Sequence, residues 1–266
     1  MITSISPLDG RYESKVKSLQ RYFSEYALIR YRLRIEIEWL IHLANQLPDL
    51  TAFSEDDQSQ LRSIYQNFTA EQAEEVKEIE SVTNHDVKAV EYYLRKQIET
   101  NPAFAVYSEF IHFACTSEDI NNLAYALMLK DAFNDDIFFK MDILIDRLLK
   151  IANDYKSLAM ISRTHGQTAS PTTLGKEFIN VAYRLQRKVN RLREQEALGK
   201  INGAVGNFNA HISAYPDLDW VEISRLFVAD VLSLKFNLLT TQIEPHDFIA
   251  EVCHTTKEFN TILIDF

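Results

Sequence analysis

Residues 116–151 read TSEDINNLAYALMLKDAFNDDIFFKMDILIDRLLKI, one of the longest helical patterns in the chain. Thr116, followed three residues later by Asp119, has the form of a capping box that begins a helix. Apolar residues then recur at helical spacing, with a phase slip near Lys130, at Ile120, Leu123, Leu127, Phe133, Ile137, Met141, Leu144, Leu148 and Ile151. The pattern predicts one long helix of a helical bundle.

A second long helix is expected to begin at Ser170-Pro171, because Ser can cap a helix and Pro suits its first position. Its apolar stripe alternates at spacings near three and four residues, as bundle packing requires: Leu174, Phe178, Val181, Leu185, Val189 and Leu192. Between the two long patterns lies a compact polar patch, residues 162–171, that carries His165.

Shorter helical patterns precede residue 105, and two of them open with capping-box sequences at Ser54 and Thr69. Long patterns follow, so we expect an N-terminal helical domain of residues 1–105 and a partial long-helix bundle domain of residues 106–266. The 266 residues include only 6 Gly and 6 Pro, which favours long uninterrupted helices. The expected fold is all-α, and the last helical pattern still runs at Phe266, which indicates a truncated bundle.

The charge and the leader region narrow the possible functions. A net charge of −10 argues against general binding to nucleic acid or to membrane surfaces, which recognise basic faces. Two cysteines make no disulfide framework, and the first residues lack the apolar core of a signal peptide. No apolar run approaches the ~18–20 residues that a membrane span needs. A cytoplasmic protein is therefore expected.

Two histidines have neighbours suited to chemistry. His165 lies between Thr164 and Gly166, which leave an imidazole approachable, although a structural role is equally compatible with these local features. His85 precedes Asp86 at a helix start, where the carboxylate either complements the helix dipole or orients the imidazole. For His42, His112 and His254 a structural role is the default expectation.

Several separate segments suit an anionic ligand. Thr116-Ser117 at a helix start either cap the helix or bind a carboxylate or phosphate through hydroxyls and free amides. Arg11, Arg163 and a glycine-rich loop, residues 199–206, supply further donors. No Walker loop or dinucleotide fingerprint appears, and the histidine spacing gives little support for a metal site.

Five segments together resemble the adenylosuccinate lyases of the fumarase/aspartase superfamily, in the right order along essentially the whole chain: Pro7–Tyr12, Ser81–Tyr92, Ser108–Asn122, Ser162–Gln167 and Thr241–Asp247. The resemblance implies an N-terminal helical domain, a central bundle of very long helices and a smaller C-terminal domain. It also implies elimination of fumarate from adenylosuccinate and from the succinyl-carboxamide ribotide of purine synthesis, without metal or organic cofactor. Relatives are homotetramers whose active sites draw on three subunits.

Residue roles follow from the resemblance position by position. His165 matches the general acid, and Asn84, His85 and Asp86 match substrate contacts, with His85 able to assist the acid. Further matches are phosphate contacts at Arg11 and Tyr12, succinyl-carboxylate contacts at Thr116 and Ser117, and a substrate contact at Gln242.

The sequence departs from the family pattern at two places. Thr168 stands where many relatives have Pro, and the Ser-Ser-x-Met-Pro-x-Lys-x-Asn-Pro loop that supplies the catalytic base is absent from these 266 residues. The chain alone is therefore expected to be inactive. Two alternatives stay open: another fumarate-releasing lyase such as argininosuccinate lyase or aspartase, and a non-catalytic helical scaffold.

Overall fold

A computed structural model describes residues 3–266 of the chain. The α-helices are α1 (Glu13–Val16), α2 (Gln20–Phe23), α3 (Glu25–Gln46), α4 (Glu55–Gln66), α5 (Ala70–Thr83), α6 (Asp86–Glu99), α7 (Pro102–Ala105), α8 (Ser117–Ala132), α9 (Phe138–Asp154), α10 (Leu174–Arg193), α11 (Asn209–Ala214), α12 (Trp220–Leu226) and α13 (Asp247–Asp265). Short strands are β1 (Ala159–Thr164), β2 (Gln167–Thr173), β3 (Leu198–Gly199) and β4 (Lys235–Phe236). The expected all-α fold is confirmed, with two small two-stranded pairings added.

The chain divides into two compact units. The first comprises the residues up to Asp131 together with Ala197–His246, and the second comprises Ala132–Glu196 and Asp247–Phe266. The domain boundary expected near residue 105 lies inside the first unit and stays a prediction.

Helix α3 is the centre of the first unit and is buried on nearly every face. Its apolar residues, among them Leu33, Ile37 and Leu40, pack against α4, α5 and α6. Its buried polar residues are each paired: Glu38 accepts two hydrogen bonds from the Arg62 guanidinium, at 2.8 and 2.9 Å. His42 Nε2 donates to the carbonyl of Ile223 at 2.9 Å, the structural role expected for it. Burial lowers the pKa of His42 and so favours the neutral ring, which can still donate this bond from Nε2.

The helix caps predicted at Ser54 and Thr69 are present in the structure. Ser54 and Thr69 each accept a hydrogen bond from the third residue of the following helix, and the side chains of Asp57 and Gln72 bond back to the cap. Both are capping boxes, as predicted, because all the groups involved lie within four consecutive residues.

The second unit is built on α9, α10 and α13. Their apolar stripes form one core, which includes Ile145, Leu148, Leu185, Val189 and Phe259. Gly175, at the start of α10, allows a close approach: a Cβ there would lie 2.3 Å from the Ala152 carbonyl oxygen. The phase slip expected near Lys130 corresponds to a π-helical segment, Phe133–Ile137, that separates α8 from α9.

The prediction that a helix begins at Ser170-Pro171 is wrong. Both residues lie in β2, which pairs antiparallel with β1, and α10 begins only at Leu174, where Thr173 Oγ1 accepts from the Lys176 amide at 3.1 Å. The reason is the two-residue turn between the strands. His165 and Gly166 both have positive φ, 50° and 74°, the pattern of a type I′ hairpin that matches the twist of the strands.

Candidate functional site

His85 is the N-cap residue of α6. Its Nδ1 accepts a hydrogen bond from the backbone N–H of Lys88 at 3.2 Å, which satisfies one of the unpaired amides of a helix N-terminus. Because Nδ1 is an acceptor, the proton of the neutral imidazole lies on Nε2. The side chain is 49% exposed, so His85 presents a hydrogen-bond donor to the surface of the first unit.

Ser117 approaches the His85 ring from the first turn of α8. Its Oγ lies 3.4 Å from His85 Nε2. Thr116 directly precedes the helix, and its backbone N–H donates to Asp119 Oδ2 at 2.8 Å, as the capping-box pattern predicted for Asp119. The N-termini of α6 and α8 therefore meet, and each carries the positive end of a helix dipole. Together with the hydroxyls, they make a surface suited to a carboxylate.

Asp86 is held by an arginine that the sequence reasoning did not single out. Arg32 Nη2 lies 2.6 Å from Asp86 Oδ2, and Arg32 Nε donates to Asn121 Oδ1 at 2.9 Å. Partial burial opposes ionisation of Asp86, but the charge of Arg32 and hydrogen bonds outweigh it and hold the pKa of this carboxyl below its usual range. Arg32 thereby fixes a negative charge beside His85, whose Nδ1 lies 3.7 Å from Asp86 Oδ1.

Asn84, Arg11 and Tyr12 lie on open surfaces of the first unit. Asn84 has a left-handed backbone (φ 53°), ends α5, and lines a shallow cleft with Lys77 and Glu80. Arg11 and Tyr12 line a cleft of about 600 Å³ formed by residues 4–12. The Arg11 guanidinium lies 5.5 Å from the centre of the Tyr12 ring.

Gln242 lies in the irregular segment between β4 and α13 and is exposed. Two residues later, Glu244 is buried, and its carboxylate accepts the backbone N–H of His246 at 2.8 Å. His246 Nε2 lies 3.1 Å from Glu118 Oε1 on the first turn of α8. The segment that carries Gln242 is therefore tied to the helix end that carries Ser117.

His165 belongs to the second unit. It occupies the first position of the β1–β2 turn and is exposed, with Thr164 and Gln167 as the last paired residues on either side. Arg163 is paired with Thr168 across the ribbon and is also exposed. The side chain of His165 is accessible to a ligand or to another chain, and its expected role as general acid stays a prediction.

The structure brings three of the predicted site residues into one cluster, namely His85, Asp86 and Ser117, with Thr116 beside them. Arg11 and Tyr12 line a cleft of their own. Three residues of the site region were not singled out from the sequence: Arg32, Lys200 and His246. Arg32 interrupts an apolar helical pattern and Lys200 sits within the glycine-rich loop. A cation at either position is expected to be buried and therefore to need a partner.

Within residues 3–266 no group of three or more His, Cys, Asp or Glu side chains is arranged to hold a metal ion. In the same part of the chain, no helix combines the length and the apolar character that crossing a bilayer requires.

Solved structures share this helical fold. The structure resembles a fumarate lyase from a Mesorhizobium species with a TM-score of 0.73 at 20% identity, over 93% of this chain and 55% of that one. It also resembles beta-carboxy-cis,cis-muconate cycloisomerase from Acinetobacter calcoaceticus, with a TM-score of 0.70 at 19% identity, over 91% of this chain and 54% of that one. These likenesses establish the shared fold.

The family model described as Lyase matches residues 10–266, so the chain belongs to this lyase family. Among curated relatives, adenylosuccinate lyase from Vibrio cholerae is 50% identical over 267 residues, covering 100% of this chain and 59% of the relative. Adenylosuccinate lyase from Escherichia coli is 51% identical and is covered to 58%. The chain thus spans a little under three fifths of the length of these relatives.

Proposed function

We propose that this chain forms part of an adenylosuccinate lyase, which eliminates fumarate from adenylosuccinate to give AMP, and from the succinyl-carboxamide ribotide in the same way. The observation that carries the proposal is the identity of about half of all residues, along the whole chain, with enzymes of that name. The cluster of His85, Asp86 and Ser117 supports it, because the resemblance matches all three to substrate contacts and they lie side by side.

The elimination has three chemical requirements. A base removes a proton from the carbon beside a carboxylate, that carboxylate takes up the developing charge, and an acid protonates the departing nitrogen. In the proposed enzyme, the hydroxyls of Thr116 and Ser117 and the amides at the start of α8 bind the succinyl carboxylates, and they stabilise the charge that develops there. No metal or organic cofactor is required for these steps.

His85 contributes a hydrogen-bond donor in this proposal. Its Nδ1 is occupied by the Lys88 amide, so only Nε2 is free to meet substrate. Asp86 lies beside the ring, and Arg32 keeps Asp86 ionised. Asn84 and Gln242 complete the substrate contacts, while Arg11 and Tyr12 bind the phosphate at the cleft that they line.

His165 is the proposed general acid, and the base comes from residues outside these 266. An exposed hairpin tip suits an acid that serves a site assembled from several subunits, since its side chain is open to a neighbouring chain. We accordingly propose a cytoplasmic homotetramer with shared active sites, acting on small purine nucleotides rather than on nucleic acid or membranes. This chain by itself is expected to be inactive.

The test is a fumarate-release assay on the full-length protein and on this chain, each with adenylosuccinate, argininosuccinate and aspartate. Full-length protein should release fumarate from adenylosuccinate only, and His165→Ala should reduce its turnover by about 10² or more. Thr168→Ala is a matched control in the same hairpin and should change turnover little. Release from argininosuccinate or aspartate instead would reassign the substrate, and no release from a folded full-length protein would indicate a scaffold.

A further inference from the structure

A buried ion pair lies beneath the first turn of α8. Lys200 Nζ lies 2.8 Å from Asp119 Oδ1, and both side chains are 0% exposed. The Asp119 carboxylate also accepts three backbone N–H bonds, from Thr116 at 2.8 Å and from Asn202 and Gly203 at 3.1 Å each. One carboxylate therefore joins the residue before α8 to the glycine-rich loop, residues 199–206.

Stability alone does not account for such a pair. Removing two charges from water is costly, and apolar residues of similar volume often stabilise a core as well or better. The pair instead fixes the positions of the segments around it, because four directed bonds converge on the Asp119 carboxylate. Lys200 also holds the loop directly, because its Nζ donates to the Gly203 carbonyl at 3.2 Å.

Asn122, one turn further along α8, strengthens the same attachment. Its Oδ1 accepts the Lys200 backbone N–H at 2.8 Å, and its Nδ2 donates to the Lys200 carbonyl at 3.0 Å. The glycine-rich loop is thus bound to α8 through both its backbone and its lysine side chain.

The opposite side of the loop holds the segment before Gln242. Asn202 Nδ2 donates to Thr240 Oγ1 at 2.8 Å. Gly206 permits a direct backbone contact, because a Cβ there would lie 2.4 Å from the Thr240 carbonyl oxygen and 2.8 Å from that of Thr241. The loop therefore sets the distance between Thr116-Ser117 on one side and Gln242 on the other.

We infer that Asp119 and Lys200 are positioning residues that hold the Thr116-Ser117 helix end and Gln242 in register around a carboxylate ligand. The inference rests on the proposed function for the identity of that ligand. Neither side chain reaches the surface, so both act only through the residues that they hold.

The test compares full-length proteins carrying Lys200→Met, the double change Asp119→Asn with Lys200→Met, and the control Lys96→Met. Lys200→Met removes the charge at similar length but leaves Asp119 buried and unpaired, so it can fail to fold. The double variant removes both charges and avoids that problem. Lys96 is an exposed lysine near the end of α6 in the same unit, so its loss controls for removal of a lysine.

The decisive measurement is product inhibition by fumarate and by AMP in the folded variants. We expect kcat/KM to fall by about 10²-fold and the Ki of fumarate to rise at least tenfold in the double variant, with the Ki of AMP within about twofold of wild type. Lys96→Met should match wild type in all three quantities. An unchanged Ki for fumarate, or equal increases for fumarate and AMP, would overturn the inference.

Amide hydrogen exchange separates this inference from the proposed function. In wild type, the amides of Thr116, Asn202 and Gly203 should be protected, and the double variant should lose protection at these positions while α9 and α10 stay protected. This result supports the positioning role even in a protein that releases no fumarate, which would refute only the proposed function. Unchanged protection at these amides would refute the positioning role.

Discussion

Replacing His112 by Asn tests how a buried histidine stabilises the loop that leads to Thr116. His112 Nδ1 lies 2.6 Å from Glu36 Oε1, its Nε2 lies 3.6 Å from Glu91 Oε1, and Glu36 is fully buried. Its backbone is left-handed, with φ 58°, a conformation that Asn tolerates well. Asn therefore keeps the backbone and a neutral donor near Nδ1, and it removes the imidazolium charge.

The pH dependence follows from the carboxylates around the ring. Burial opposes the charged ring, but the charge and hydrogen bond of Glu36, with the charge of Glu91, outweigh burial and the nearby Lys88 and raise the pKa of His112 above its ordinary value. A raised pKa in the folded state stabilises the fold below the unfolded value of ~6.5, and this contribution disappears as pH rises through the folded pKa.

The expected loss in the variant at pH 5 is about 1.5–3 kcal/mol, the range for hydrogen bonds that involve a charged group. The difference in unfolding free energy between wild type and variant should stay nearly constant below pH ~6.5 and narrow as the pH rises through the raised pKa of His112. Urea unfolding monitored by tryptophan fluorescence measures the free energy of unfolding of the first unit, because both tryptophans, Trp39 and Trp220, lie in it. Trp39 Nε1 donates to the carbonyl of Phe113, adjacent to His112, at 3.2 Å.

His254→Asn is the matched control, since it replaces an exposed imidazole on α13. It should leave the urea midpoint unchanged at every pH. A difference between His112→Asn and wild type that is constant with pH, or that grows as pH rises, would refute the argument that the imidazolium charge stabilises the fold.

Three further predictions concern backbone strain, packing and thiol reactivity. Ala114 has φ 59°, so Ala114→Gly should stabilise the chain by about 1 kcal/mol in urea unfolding; destabilisation would show that the backbone is not strained there. Gly175→Ala should destabilise the second unit by about 1–3 kcal/mol, because its Cβ would clash with the Ala152 carbonyl and Lys156; unchanged hydrogen exchange in α9 and α10 would count against this close contact. Iodoacetamide should modify exposed Cys253 well before Cys115, whose thiol has a pKa raised by burial and by Asp119 and Glu36; equal labelling rates by mass spectrometry would contradict this difference.

Local patterns in the sequence predicted much of the helical structure. Ser54 and Thr69 cap the helices that their sequence context indicated, because a cap and its partner are at most three residues apart. The hairpin around His165 was not predicted. Its pairing depends on hydrogen bonds between β1 and β2 and on left-handed turn residues, while Ser170-Pro171 satisfied the local rules for a helix start.

The sequence by itself determined that this chain is helical and where most helices begin. It also indicated which polar segments are candidates for ligand contact, including those around His85 and Thr116-Ser117. Only the tertiary structure decided which partner each buried charged residue has. Arg32 with Asp86 and Lys200 with Asp119 join segments far apart in the chain. A buried charge is tolerated only with a partner of opposite charge and good geometry, and that partner is supplied by the fold rather than by neighbouring residues.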